Sequence, residues 1–211
     1  MRLCHFRFPR LALLALVLLL DACSLPFARQ PATADTVYLL EGELPAAPRP
    51  DPDGPRLWLS PMAAAAGFGD ADMVYMRRPL QLEHYAHHRW ADAPARMLEP
   101  LLLGALEHSG HFRGVAGPGE SVRSDLRLDS LLLYLRQVFT GDGSEVQLAL
   151  RVSLVDTNRA ELVASRVIAV AEPVAGRTPY AAAQAADRAV ARWMERFGAW
   201  LDRHLTAPSP H

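Results

Sequence analysis

The sequence contains no lysine. Its 22 basic residues are all arginine, set against 23 acidic residues for a formal charge of −1. Such a balance provides no basic field to hold a phosphate backbone, which excludes nucleic-acid binding as the main function. Cysteine is nearly absent: only Cys4 and Cys23 occur, both near the N-terminus. A disulfide-stapled fold and a multi-cysteine metal site are excluded with them. The nucleophile-elbow, zinc-protease and phosphate-loop motifs are also missing. One apolar run stands out, Leu11 to Leu20, and it falls short of the ~20 residues needed to cross a bilayer. What is left is an ordinary globular composition, 50% hydrophobic and 21% charged, with no catalytic constellation on display.

The one apolar run is the most informative segment. Arg2, Arg7 and Arg10 precede it, as in the positive region of a signal peptide, and its length suits the apolar region that follows. It ends in Leu20-Asp21-Ala22-Cys23, which resembles a bacterial lipobox: leucine three positions before cysteine and a small residue just before it. Asp21 departs from that pattern. Residues 1–22 are therefore expected to be a signal peptide cleaved between Ala22 and Cys23, with Cys23 carrying acyl chains such as palmitate. Cys4 leaves with the signal, so the mature chain holds a single sulfur, at the lipidation position. Thiol catalysis goes with it. The alternatives are an uncleaved anchor or a plain secreted protein with a stray cysteine. Residue 24 is serine rather than aspartate, which points to sorting to the outer membrane, periplasmic face. The signal contributes a charge of +2 from three arginines and Asp21, leaving −3 on the mature part.

Residues 23–35 contain Pro26 and Pro31 and read as a flexible tether, able to reach about 35 Å at ~3.1 Å per residue. Residues 36–205 read as a single α+β domain, and residues 206–211 as a disordered tail. Short strands are expected at Thr36–Leu40, Arg56–Ser60, Met73–Arg77 and Gln81–Tyr85, with a proline-rich loop at Pro45–Pro55. Asp92 is the expected cap of a helix that opens at Pro94 and runs to Ser109-Gly110, carrying Met97, Leu98, Leu101, Leu102, Ala105 and Leu106 at helical spacing. After a short strand at Phe112–Val115, the segments Leu126–Thr140, Val146–Leu154 and Glu161–Ala171 form a meander. Gly141-Asp142-Gly143 and Asp156-Thr157-Asn158 are its turns. Thr178 and Pro179 open a last helix with Val190, Trp193, Met194, Phe197 and Leu201 on its inner stripe. The order predicts an α+β fold: an antiparallel sheet sandwich with two main helices packed on one face.

Three groups of side chains bear on chemistry. His84, His87 and His88 have spacing compatible with a metal site, but no carboxylate or cysteine stands at motif distance, so structural histidines are favoured. His108 and His111 stand at a helix end, where histidine interacts with the last carbonyls. Between Met73 and Pro94, Tyr75, Tyr85 and Trp90 interleave with Arg77, Arg78 and Arg89. The structural reading makes Tyr85 and Trp90 core anchors. The functional reading makes Tyr75, Arg77, Tyr85, Arg89 and Trp90 an interface, since arginine and aromatic residues are favoured there.

These segments carry a resemblance. The strand "MVY" at Met73–Tyr75, Tyr85, then "RWADAPARML" leading into a leucine-rich helix resemble the ABC-type transport auxiliary lipoproteins, the PqiC-like family. "YLL" at Tyr38–Leu40, "DSLLLYLRQVF" at Asp129–Phe139 and the closing alanine-rich helix near Trp200-Leu201 fit as well. The resemblance implies a non-enzymatic periplasmic lipoprotein on the outer membrane. It implies an auxiliary role in lipid transport, docking an MCE-domain protein and its ABC permease and ATPase. It implies no cofactor, and a homo-oligomer is compatible with it. Two other readings stand beside it: a regulatory lipoprotein that activates a cell-wall enzyme, and a periplasmic enzyme or metal binder that uses the histidines.

Overall fold

The computed structural model describes residues 34–42 and 50–205. Ala22, Cys23, most of the tether, the start of the proline-rich loop and residues 206–211 lie outside the described residues.

A long antiparallel meander organises the chain: β7 (Leu126–Thr140), β8 (Gly143–Asp156) and β9 (Glu161–Pro173). Alternation produces it. Val146, Leu148, Leu150, Val152 and Leu154 are buried on β8, opposite Leu128, Leu132 and Leu135 on β7. The β7–β8 turn needs a left-handed residue, and Gly141 supplies φ 54°.

The second edge of β7 takes three short strands in turn: β2 (Arg56–Leu59), β3 (Ala63–Ala64) and β4 (Asp72–Arg78), all parallel to it. β6 (Gly114–Ala116) lies parallel to β2. β5 (Gln81–Trp90) returns antiparallel to β4, and β1 (Thr36–Tyr38) lies parallel to β5 at the sheet margin. The nine-stranded sheet is therefore mixed. The expectation of a purely antiparallel sheet is corrected, while the α+β class holds. Alternation records which face is buried and carries no information on strand direction, which the crossovers decide.

Helix α1 (Pro94–His108) packs Met97, Leu98, Leu102 and Leu106 into the core. Its cap differs from expectation. Ala93 occupies the N-cap position without a side-chain bond, and Asp92 instead pairs with Arg96 and accepts the Ala93 N–H. That pairing, with the backbone bond second, lowers the Asp92 carboxyl to about 2. At the other end, His108 Nδ1 meets the Gly104 carbonyl at 2.6 Å.

Helix α2 (Pro179–Leu205) packs across β8 and β9 and touches α1. Its first half presents alanines 182, 185, 186 and 189, and its second half presents Trp193, Phe197 and Trp200, all buried. Trp193 donates from Nε1 to the Ile168 carbonyl (3.0 Å) and stacks on Phe197 with ring centroids 5.3 Å apart. Thr178 Oγ1 accepts the Ala181 N–H at 3.1 Å, as the sequence predicts. Thr178→Ala should cost about 1 kcal/mol. In calorimetry it should lower the melting temperature by about 2–4 °C; an unchanged melt would show that the cap contributes nothing.

Candidate interaction surface

The β4–β5 hairpin positions the aromatic residues. Register between these strands shifts twice: Val74 faces His84, yet Asp72 faces Arg89. β5 thus has extra residues around Ala86-His87, a bulge that re-aims every side chain beyond it. Glu83 and Tyr85 before the bulge, and His88 and Trp90 after it, are consequently the less exposed residues of β5.

From there a belt of rings crosses four strands and reaches α2. Phe139 on β7 meets Tyr75 on β4 edge-on (5.9 Å). Tyr75 meets Tyr85 on β5 (4.7 Å), and Tyr85 meets His88 (6.1 Å). His88 stacks on Tyr38 of β1 (5.9 Å), and Tyr38 meets Tyr180 in the first turn of α2 (6.4 Å). The rings are half-buried except Tyr180, which is exposed. Half-buried aromatic rings of this kind suit a docking surface.

The polar groups of the belt are tied down. Tyr85 donates to Gln137 Oε1 (2.6 Å), and Gln137 donates to Ser144 Oγ (2.8 Å). Burial first, then neighbouring tyrosines, raises the Tyr85 hydroxyl. Burial, then Tyr180, raises that of Tyr38. Both stay protonated at physiological pH. Arg77 forms a two-point pair with Glu83, sits over the Tyr75 ring at 5.4 Å, and depresses the Glu83 carboxyl chiefly through that hydrogen bond. The belt is therefore close to electrically neutral, and Arg77 is not a free cation.

The sequence-derived candidates separate accordingly. Tyr75, Arg77 and Tyr85 come together. Arg89 is exposed, between Val37 on β1 and Asp72 on β4. Trp90 is buried in the same core cluster as Met73, Leu135 and Ala186, which fits the core-anchor reading and not the interface one. The three histidines separate too: His84 pairs with Asp72 (3.2 Å), His87 with Asp35 (3.7 Å), and His88 with Tyr38. Among the described residues no group of three histidine, cysteine or acidic side chains is arranged to hold a metal. The recess beside Tyr85 and Trp90 has a volume of about 10 Å³, which is room for one water and not for an acyl chain.

Sequence reasoning missed Leu80. It forms the hairpin tip with φ 68° and is fully exposed. A leucine in the left-handed region is strained. Its signal was Pro79, since proline followed by a positive-φ residue is a type II turn.

A family model for the ABC-type transport auxiliary lipoprotein component matches residues 38–196. No curated protein matches the chain. A solved structure of a protein from Xanthomonas campestris is similar at 23% identity and TM-score 0.71, covering 79% of this chain and 94% of its own. A second, of an uncharacterised protein, is similar at 15% identity and TM-score 0.62, covering 80% and 99% respectively. At these identities the likeness establishes the fold.

Proposed function

This chain belongs to the ABC-type transport auxiliary lipoprotein component family, and we propose that it serves a lipid transporter as a docking lipoprotein. In this reading Cys23 anchors it to the periplasmic face of the outer membrane. The β4–β5 hairpin and its aromatic belt then bind an MCE-domain protein that works with an ABC permease and ATPase. The family match carries the reading. The belt supports it, because half-buried tyrosines, a neutralised arginine and an exposed leucine tip suit protein contact. The role in this reading is attachment and positioning.

The test is capture of the full-length protein from its own membranes after mild cross-linking. An MCE protein with its permease and ATPase should be recovered, and Tyr75→Ala with Tyr85→Ala should lose them without loss of protein from the membrane. Capture that contains no MCE protein would overturn the proposal. Leu80→Gly provides a sharper probe. Relieving the positive φ should leave stability unchanged or raise it by up to about 1 kcal/mol, while recovery of the partner falls. A stabilised variant with full recovery would remove the tip from the docking surface.

A further inference from the structure

Among the described residues, strand β9 hydrogen-bonds to β8 alone and no strand lies along its second edge. Part of that edge is covered by α2. Arg188 donates to the Pro173 carbonyl (3.1 Å), Arg192 to Ala171 (3.5 Å) and Arg196 to Ala169 (2.7 Å). The spacing explains the match: four helical residues advance about 6.0 Å and two strand residues about 6.7 Å. Arginine at every fourth position of the helix therefore meets a carbonyl at every second position of the strand. Such a cover protects an edge from unwanted strand pairing.

The cover then stops. One turn beyond Arg196, Trp200 is buried in the core and Ala199 is too short to reach the strand. A groove of ≈490 Å³ opens there, lined by Arg166, Val167, Ala169, Arg196, Ala199 and Arg203. By the alternation that directs residues 169, 171 and 173 outward, the backbone groups of Val167 and Ser165 face this edge. Val167 and Val163 are exposed beside it. Arg166, Arg196 and Arg203 have no ion pair among the described residues.

We infer that the Ser165–Val167 edge of β9 is a strand-docking site that takes an extended acidic segment of a partner protein. Added-strand binding draws affinity from backbone pairs and specificity from the flanking side chains. Here the flank is cationic, so carboxylates alternating along the segment would face Arg166, Arg196 and Arg203. An anionic lipid headgroup would use the arginines but leave Val167 and the open backbone unused. The acidic strand uses all three. The inference rests on β9 and α2 and is independent of the aromatic belt.

The experiment uses the full-length protein in detergent and a nine-residue peptide alternating threonine and glutamate, with a threonine–lysine peptide as control. The acidic peptide should bind, by fluorescence anisotropy, and should slow amide exchange at Ser165–Val167. Ala199→Arg completes the arginine cover at an exposed position, so it should preserve the melting temperature and abolish both effects. Arg166→Glu with Arg203→Glu should weaken the acidic peptide by about tenfold, the loss of two exposed ion pairs plus repulsion, and improve the lysine peptide. Binding that ignores Ala199→Arg, or that leaves β9 exchange unchanged, would overturn the inference. So would a protein that binds no peptide while the double variant loses affinity for phosphatidylglycerol vesicles, which assigns the arginines to a membrane. Concentration-dependent self-association blocked by Ala199→Arg, without peptide binding, would give the edge to a second copy and equally overturn it.

Discussion

Replacing Cys23 by serine should release this protein from membranes or leave its precursor uncleaved. The expectation rests on Leu20-Asp21-Ala22-Cys23 at the end of the Leu11–Leu20 run, with three arginines before it. No helix among the described residues is long and apolar enough to cross a membrane. Each buried CH₂ contributes about 0.8 kcal/mol, and one chain alone gives only marginal binding, so several acyl chains are needed for lasting attachment. The loss on Cys23→Ser is accordingly near total rather than graded. Fractionation and the apparent mass of the processed chain measure it. A variant that is cleaved normally and stays with the membrane would remove Cys23 from the mechanism. Asp21→Ala should speed processing, since the aspartate is the position at odds with the pattern.

Trp90→Ala should be among the most damaging single changes in the domain. Trp90 is 3% exposed. It closes the last rung between β5 and β1, opposite Tyr38, where its backbone N–H bonds the Ala71 carbonyl at 2.8 Å and holds the indole's position. Ala182 and Ala186 of α2 line the same narrow recess as Trp90 and belong to the same buried cluster. Truncation leaves a cavity that the close-packed sheet cannot fill, at roughly 3–5 kcal/mol. For a domain of this size the melting temperature should fall by about 10 °C, at about 2–4 °C per kcal/mol. Partner capture well below both melts should persist. An unchanged melt with lost capture would return Trp90 to the interface.

The sequence reading located most elements because burial of one face leaves a local period. β8 shows this best: Val146, Leu148, Leu150, Val152 and Leu154 are buried as their alternation predicts, and only Ala149 between them is buried as well. β5 shows where the method runs out. The run reads as a strand only to Tyr85, because the bulge near Ala86-His87 breaks the alternation that identifies strands. β3, two alanines held against Leu131 and Leu132, has no pattern at all. Of the candidate site, Tyr75, Arg77 and Tyr85 were legible as an aromatic and basic cluster. That Arg77 is neutralised by Glu83 required the strand register.

From the sequence alone follow the expected membrane address, the expected absence of thiol chemistry, and the positions of the two helices with their inner stripes and the Thr178 cap. Each depends on residues within a few positions of one another. Tertiary structure alone decided that β2, β3 and β4 run parallel to β7, that Tyr38, Tyr85 and Phe139 share one belt, and that the arginines of α2 cover part of β9. These contacts join residues far apart in the chain, as Tyr85 and Gln137 are. The entropy of closing such loops grows only slowly with their length. Spacing along the chain therefore says little about which segments meet, and the shared burial of their faces selects the partners.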